Sequence, residues 1–193
     1  MKKIILASTS PRRKTILDDL GIEFKIVTPD FSEEVTDEKF TYELIESFAY
    51  NKALSVAKKT NESALIIGAD TMVVLEEMIL GKPKTNNDAF HMLKLLNGKE
   101  HKVVTAISII DTKIQSHIIE STTSYVCFNT LKENDLLDYI NNFKPLDKAG
   151  AYGIQELPDY FVKNITGEFD NIIGLPSKTL LRLFKKLNFK SDL

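Results

Sequence analysis

Short apolar runs alternate with segments of helical spacing along the chain, a pattern that predicts an α/β protein with no linker, repeat or low-complexity tract. Ile4, Ile5, Leu6 and Ala7 read as a first strand, Ser10 as the N-cap of the helix that follows, Pro11 as its first residue and Gly21 as its stop. Phe24 to Val27 reads as a second strand ended by Pro29. Thr41 to Lys59 reads as a helix with Leu44, Ile45, Phe48, Ala49, Ala53 and Val56 on one face. Leu65 to Leu75 is strand-like and turns at Glu76-Glu77 into Ile79-Leu80, a hairpin by pattern. Asn87 or Asp88 is expected to cap a helix running to Leu96, which Asn97-Gly98 closes. Val103 to Ile110, Ile114 to Glu120 and Thr123 to Phe128 predict a β-rich middle arranged as a meander. Thr130 with Glu133 predicts a capping box for a helix through Phe143, which Pro145 stops. Tyr160 to Ile165 is a further strand and Lys178 to Leu187 the closing helix.

With 193 residues, 43% of them hydrophobic, the chain can bury a sizeable core, and residues 1–193 are expected to form one domain with two lobes. A formal net charge of -2 gives no general attraction to nucleic acid or membrane. Anion binding must then come from local clusters, and the expected partner is a small molecule. Met1-Lys2-Lys3 is followed by an apolar run far too short for a signal peptide, and no other segment is expected to span a membrane. The lone Cys127 excludes an internal disulfide framework, fits a reducing cytoplasm and reads as a buried, inert thiol in a strand.

Several polar residues interrupt this pattern. Ser8-Thr9-Ser10-Pro11-Arg12-Arg13 puts two arginines in the first turn of a helix. A helix start carries partial positive charge and unpaired N–H groups, so each cation there costs roughly 0.3 to 1 kcal/mol unless an anion joins it. Either the arginines point into water, or three hydroxyls, the free N–H groups and two guanidiniums form a phosphate cradle. Asp70 breaks the apolar run between Leu65-Ile66-Ile67-Gly68-Ala69 and Met72-Val73-Val74. A buried lone carboxylate is costly unless paired, metal-bound or neutralised. Asp70 is therefore a working group or one tied down by nearby N–H groups or Thr71. Lys52 falls on the apolar face of its helix, where it either snorkels to water or reaches a buried anion.

Asp30, Glu33 and Glu34 gather after the second strand, as a solvated loop or as a ligand site at a strand end. Lys82, directed by Pro83, is an exposed loop lysine or a phosphate contact. Gln155 ends the glycine-rich Gly150-Ala151-Tyr152-Gly153-Ile154, which is a tight turn or a path close to a flat ligand. Its amide can both give and accept a hydrogen bond at a base edge. Walker A, GxGxxG and HExxH motifs are absent, and His91, His101 and His117 lack metal-ligand spacing, so a histidine base is not expected.

Leu6-Ala7-Ser8-Thr9-Ser10-Pro11-Arg12-Arg13, followed by Leu17 and Leu20-Gly21, resembles the N-terminal signature of the Maf family of nucleoside triphosphate pyrophosphatases. Gly68-Ala69-Asp70-Thr71, Gly81-Lys82-Pro83, the segment from Asp147 to Gln155 and Asn171-Ile172-Ile173-Gly174-Leu175-Pro176 are similar to its later motifs, in order, over nearly the whole chain. The resemblance implies a mixed twisted sheet with flanking helices, two lobes around a deep central cleft, and often a homodimer. It also implies attack on an α-phosphate with release of pyrophosphate. Asp70 would be the catalytic proton acceptor, Glu33 and Asp70 the residues at a divalent cation, and Ser8, Arg12, Arg13, Lys52 and Lys82 contacts of the triphosphate. Mg²⁺ is the implied metal, with Mn²⁺ or Co²⁺ able to replace it.

Arg12, Thr71 and Gln155 match positions that the family links to substrate choice. Tyr152-Gly153-Ile154-Gln155 resembles the branch acting on dTTP and UTP rather than the branch acting on 7-methyl-GTP. Ser32 departs from the pattern, standing where many members carry another acid. The implied purpose is removal of unwanted or modified nucleotides. The family's connection with septum formation and cell division keeps a nucleotide-binding regulator as an alternative. A pyrophosphatase for damaged purine triphosphates is another, although Gln155 and the lack of tryptophan argue against a purine sandwich.

Overall fold

At the centre of the computed structural model, which describes residues 2–32 and 39–187, runs a strand buried on both faces. This strand, β3 (Ala64–Leu75), follows β1 (Lys3–Ala7), α1 (Pro11–Asp19), β2 (Lys25–Ile26) and α2 (Tyr42–Ala57). Beyond it come β4 (Met78–Leu80), α3 (Asn86–Leu96), β5 (Glu100–Asp111) and β6 (Ser116–Phe128). The chain finishes with α4 (Glu133–Phe143), β7 (Val162–Thr166), α5 (Phe169–Ile173) and α6 (Ser177–Lys186). The strands form one sheet in the order β2-β1-β3-β5-β6-β7, with β4 pairing the far end of β3. β1 is parallel to both β2 and β3, whereas β3, β5, β6 and β7 are antiparallel neighbours, so the expected mixed α/β sheet is present.

The length of β3 makes it serve two cores. Near its start Leu65, Ile67 and Ala69 pack with Leu17 of α1 and with Leu180, Leu183 and Phe184 of α6. At its end Val73 and Leu75 pack with Leu93 and Leu96 of α3, Leu136 and Tyr139 of α4, and Phe128. Asp70, one residue beyond Ala69, points to the opposite face of the sheet, toward α2. On the opposite face α2 buries Ile45, Ala49 and Ala53, spaced four residues apart, and Phe48, Lys52 and Val56, spaced likewise, so Lys52 sits within an apolar stripe.

Several local expectations are corrected. Ser10 occupies the N-cap position of α1, but its side chain makes no capping bond; its N–H donates instead to Ser8 Oγ at 3.1 Å. The cap of α3 is Thr85, which exchanges hydrogen bonds with Asp88, because Thr-x-x-Asp satisfies two orphan N–H groups where either acid or amide alone satisfies one. Helix α4 begins at Glu133, and Asp135 rather than Glu133 closes on the chain before it, accepting from the Lys132 N–H; Thr130 takes no part. The segments from Ile114 to Phe128 are one turn and one continuous strand, since β6 pairs with β5 from Ser116 to Cys127 without interruption. The five-residue helix α5 has too few residues for a periodic signal and went unpredicted.

Candidate active site

The residues around Asp70 are brought together by a close helix-strand approach. A Cβ at Gly68 would stand 2.2 Å from the carbonyl oxygen of Ala49 and 2.7 Å from the nitrogen of Ala53, so only glycine lets α2 lie this near to β3. Lys52, three residues beyond Ala49, then reaches across to the strand. Its Nζ donates to Asp70 Oδ1 and approaches the carbonyl of Ala69 at 3.5 Å. Both side chains are buried, at 8% and 6% exposure, so each answers the cost of burying the other's charge.

The turn from β1 into α1 supplies the second wall. Ser8 is buried, and its Oγ accepts from the Ser10 N–H and from Arg13 Nη1 at 3.2 Å. The rest of the Arg13 fork is also engaged: Nε donates to the Gly174 carbonyl at 2.8 Å and Nη2 to Thr71 Oγ1 at 3.2 Å. A single guanidinium thereby ties the start of α1 to β3 and to the turn after α5.

The third wall is the segment after α4. Gly150 has φ +67°, and a Cβ there would lie 2.8 Å from Val73, so this turn rests directly on β3. Its N–H donates to the Gly81 carbonyl at 3.1 Å, which joins it to the chain carrying Lys82. Beneath it, Tyr152 is buried against His101 and Phe128, with the hydroxyl 2.7 Å from His101 Nε2. Burial lowers the His101 pKa to about 4, opposed by a hydrogen bond with the Lys99 backbone, so the ring is neutral. Burial also pushes the Tyr152 phenol upward. At the lip, Lys148 is buried with its Nζ 2.7 Å from Asp147 and 3.2 Å from Glu156, bracing both ends of this segment. Arg12 reaches Asp147 from the opposite wall at 3.3 Å. Partial burial raises the Asp147 pKa, but the hydrogen bond and charge of Lys148 and the charge of Arg12 outweigh it, and the carboxyl stays below its usual range.

These walls enclose a cavity of about 410 Å³. Ser8, Arg12, Arg13, Lys52, Asp70, Thr71, Lys82 and Gln155 all line it. Arg12 is half-buried, Lys82 and Gln155 are exposed, and Lys82 stands where the cavity opens into a wider groove along β4. The volume suits a ligand of nucleotide size.

The model of the Maf-like protein family matches residues 3–187. The chain belongs to the Maf-like protein family. Among curated relatives of this Maf-like chain, the dTTP/UTP pyrophosphatase of Clostridioides difficile is 44% identical over 183 residues, covering 95% of this chain and 94% of that one. Those of Alkaliphilus oremlandii and a Geobacillus species are each 42% identical, covering 91% and 98% of this chain and 91% and 100% of theirs. Two solved structures share the fold at low identity. The Ham1 protein of Staphylococcus aureus has TM-score 0.51 and 19% identity over 97% of this chain and all of that one. A HAM1 protein from Coxiella burnetii has TM-score 0.52 and 17% identity over 98% of this chain and all of that one.

Of the Maf-family positions singled out in the sequence, Glu33 lies outside the described residues. Asp30 is exposed, pairs with Lys59 at 3.0 Å and does not itself line the cavity, although its neighbours Pro29 and Phe31 do. Thr71 lies in the lining, yet its hydroxyl is turned to Arg13 and to Thr105 Oγ1, at 3.0 Å, rather than standing clear as a reader of a base edge. Sequence reasoning assigned no role to Asp147, Lys148, Glu156, Thr105 or Asn171. For Lys148 and Asp147 the signal was present, a charged pair inside a motif already quoted. Asn171 likewise opens a quoted motif, but for Thr105 there was no signal, since its partner Asn171 is far away in the chain.

Proposed function

We propose that the cavity binds a nucleoside triphosphate and that the protein hydrolyses it at the α-phosphate, releasing pyrophosphate and a nucleoside monophosphate, with dTTP and UTP as substrates. The observation that carries this reading is the buried Lys52–Asp70 pair on the floor of a cavity whose wall is a helix start bearing Arg12 and Arg13. A carboxylate in that position can take a proton from water while cations hold the negatively charged substrate. The substrates are those named for relatives at 41 to 44% identity over nearly the same length.

In this reading Asp70 accepts the proton of the attacking water, and Lys52 keeps its carboxylate in one place. Ser8 Oγ accepts two bonds and, among the described residues, its hydroxyl proton has no acceptor, which suits a phosphate oxygen, an acceptor without protons of its own. Arg12 and Lys82 at the lip meet the outer phosphates, and the Gln155 amide meets the base. No covalent intermediate is needed, because the described lining holds a carboxylate rather than an activated nucleophile.

The donor set also fits a hard divalent cation, Mg²⁺ in the first instance. Such ions are held by one or two carboxylates together with phosphate oxygens and water, and Asp70 supplies a carboxylate at the cavity wall. When bound, the ion would offset phosphate charge and lower the pKa of water. Glu33 is the second ligand that the family resemblance assigns.

The test is pyrophosphate release from dTTP, UTP, dATP, GTP and ITP with Mg²⁺, and again after chelation. Fastest release from dTTP and UTP, reversibly stopped by chelator, is the expected result. Tight binding without release would favour the regulator, and fastest release from ITP would favour the purine enzyme.

A further inference from the structure

Thr105 is fully buried in β5, directly opposite Thr71 of β3 in the antiparallel register. Its Oγ1 lies 2.8 Å from the Asn171 carbonyl oxygen and 3.0 Å from Thr71 Oγ1. A carbonyl can only accept, and a hydroxyl has one proton, so Thr105 spends its proton on Asn171. The Thr71–Thr105 contact then has one possible sense: Thr71 donates and Thr105 accepts. This leaves the lone pairs of Thr71 for Arg13 Nη2. The three bonds run in one direction, Arg13 to Thr71 to Thr105 to the Asn171 carbonyl, an arrangement in which each bond polarises the next. The receiving end is itself anchored. Asn171, fully buried in α5, donates to the Val103 carbonyl at 2.9 Å and to Ser124 Oγ at 3.0 Å.

We propose that Thr105, which does not touch the cavity, is a positioning residue that fixes the Thr71 hydroxyl as an acceptor and through it the orientation of the Arg13 guanidinium toward the triphosphate. The proposal rests on the reading of the cavity as a nucleoside triphosphate site. Without the Thr105 hydroxyl, the Thr71 proton loses its buried acceptor and the hydroxyl is free to rotate, so its lone pairs are no longer held toward the Arg13 N–H. Arg13 would then keep only Ser8 and Gly174 from this set. A second consequence concerns selectivity. With its proton committed, Thr71 can accept a hydrogen bond but cannot donate one, so a base carbonyl has to be recognised by another donor, and the Gln155 amide lines the same cavity.

The experiment compares Thr105→Val, similar in shape but without the hydroxyl, with Thr105→Ser, which keeps it, each also in a Thr71→Ala background. Thermal unfolding sets a temperature at which all are folded; dissociation constants for dTTP, dTDP and dTMP and kcat/KM for pyrophosphate release are then measured. Thr105→Val should weaken dTTP about tenfold, the equivalent of one lost buried hydrogen bond, and weaken dTMP less. Thr105→Ser should restore most of the loss. In the Thr71→Ala background Thr105→Val should add little, because the two act in series. An unchanged ratio of dTTP to dTMP affinity, a serine variant no better than valine, or a full effect without the Thr71 hydroxyl would each overturn the proposal. Should Thr105→Val not fold, Thr105→Ala against Thr105→Ser carries the same expectation. The parent protein separates the two levels: if it shows no preference for dTTP over dTMP, the triphosphate reading itself fails.

Discussion

Arg12 and Arg13 are adjacent in sequence and leave the same helix turn, yet they belong to different parts of the site. Arg13 is held by a backbone carbonyl and two hydroxyls from three separate stretches of chain. Arg12 meets Asp147, a carboxylate that is 64% exposed. The same division runs through the whole cavity. Its floor, Lys52, Asp70, Ser8 and Thr71, is buried or half-buried and bound internally, while its rim, Arg12, Lys82, Gln155 and Asp147, is open to water. A floor set in advance serves chemistry, because preorganised charge does not have to reorient as the reaction proceeds. An exposed rim, whose Arg12–Asp147 ion pair is worth little in water, serves entry and selection.

The largest effect should come from the floor. Asp70→Asn removes the base and leaves Lys52 buried beside a neutral amide, so turnover should fall by about 10² to 10⁴. Unfolding stability should also drop, by less than the roughly 3–5 kcal/mol that a fully uncompensated buried charge costs. Adding Lys52→Met should recover stability in a denaturant titration without recovering turnover. Recovery of both would mean that the pair is merely structural.

Gly68→Ala tests the same floor through the backbone. The added methyl meets the Ala49 carbonyl, and overpacking of this kind costs about 1–3 kcal/mol. α2 should move away from β3, separating Lys52 from Asp70, and kcat should fall while KM changes little. A fall in KM affinity alone would place Gly68 with the rim.

The support beneath the rim has a pH signature. The His101 pKa is lowered to about 4 in the folded protein, against 6.5 for a free imidazole, so below neutrality the unfolded chain binds the extra proton. The stabilisation is therefore present above pH 6.5 and is lost as pH falls toward 4, by at most about 3 kcal/mol. His101→Gln should flatten this part of the stability curve, measured by urea unfolding at a series of pH values.

The smallest effects should arise at the rim and should differ in kind. Lys82→Ala should weaken all nucleoside triphosphates about equally. Gln155→Ala should narrow the gap between dTTP or UTP and the purine triphosphates, by roughly 1 to 3 kcal/mol if a buried base group loses its partner. Lys148→Met, which releases both Asp147 and Glu156, should raise KM with kcat nearly unchanged. Uniform losses for Gln155→Ala across a substrate panel would show that it supports its loop instead of reading a base.

The floor and rim were not equally legible in the chain. Asp70 and Lys52 stood out because each is a charge inside an apolar pattern, one in a continuously apolar strand and one on a helix stripe, and that conflict is visible locally. That they meet each other was not visible, since it depends on Gly68 admitting α2. The helix start of Arg12 and Arg13 was readable, but not the different fates of its two arginines, since Asp147 and Gly174 are each more than a hundred residues away. Thr85 was passed over because Asn86, Asn87 and Asp88 crowd the same few positions and any of them can cap. Thr105 reads in sequence as one more β-branched strand residue, the commonest thing a strand contains.

The most direct test of the account is a single hydrolysis of dTTP in ¹⁸O-labelled water, with both products analysed by mass. Attack by an Asp70-activated water on the α-phosphorus places the label in dTMP and leaves the pyrophosphate unlabelled, and Asp70→Asn should abolish the reaction without abolishing dTTP binding. Label in the pyrophosphate, or release at the parent rate by Asp70→Asn, would contradict it.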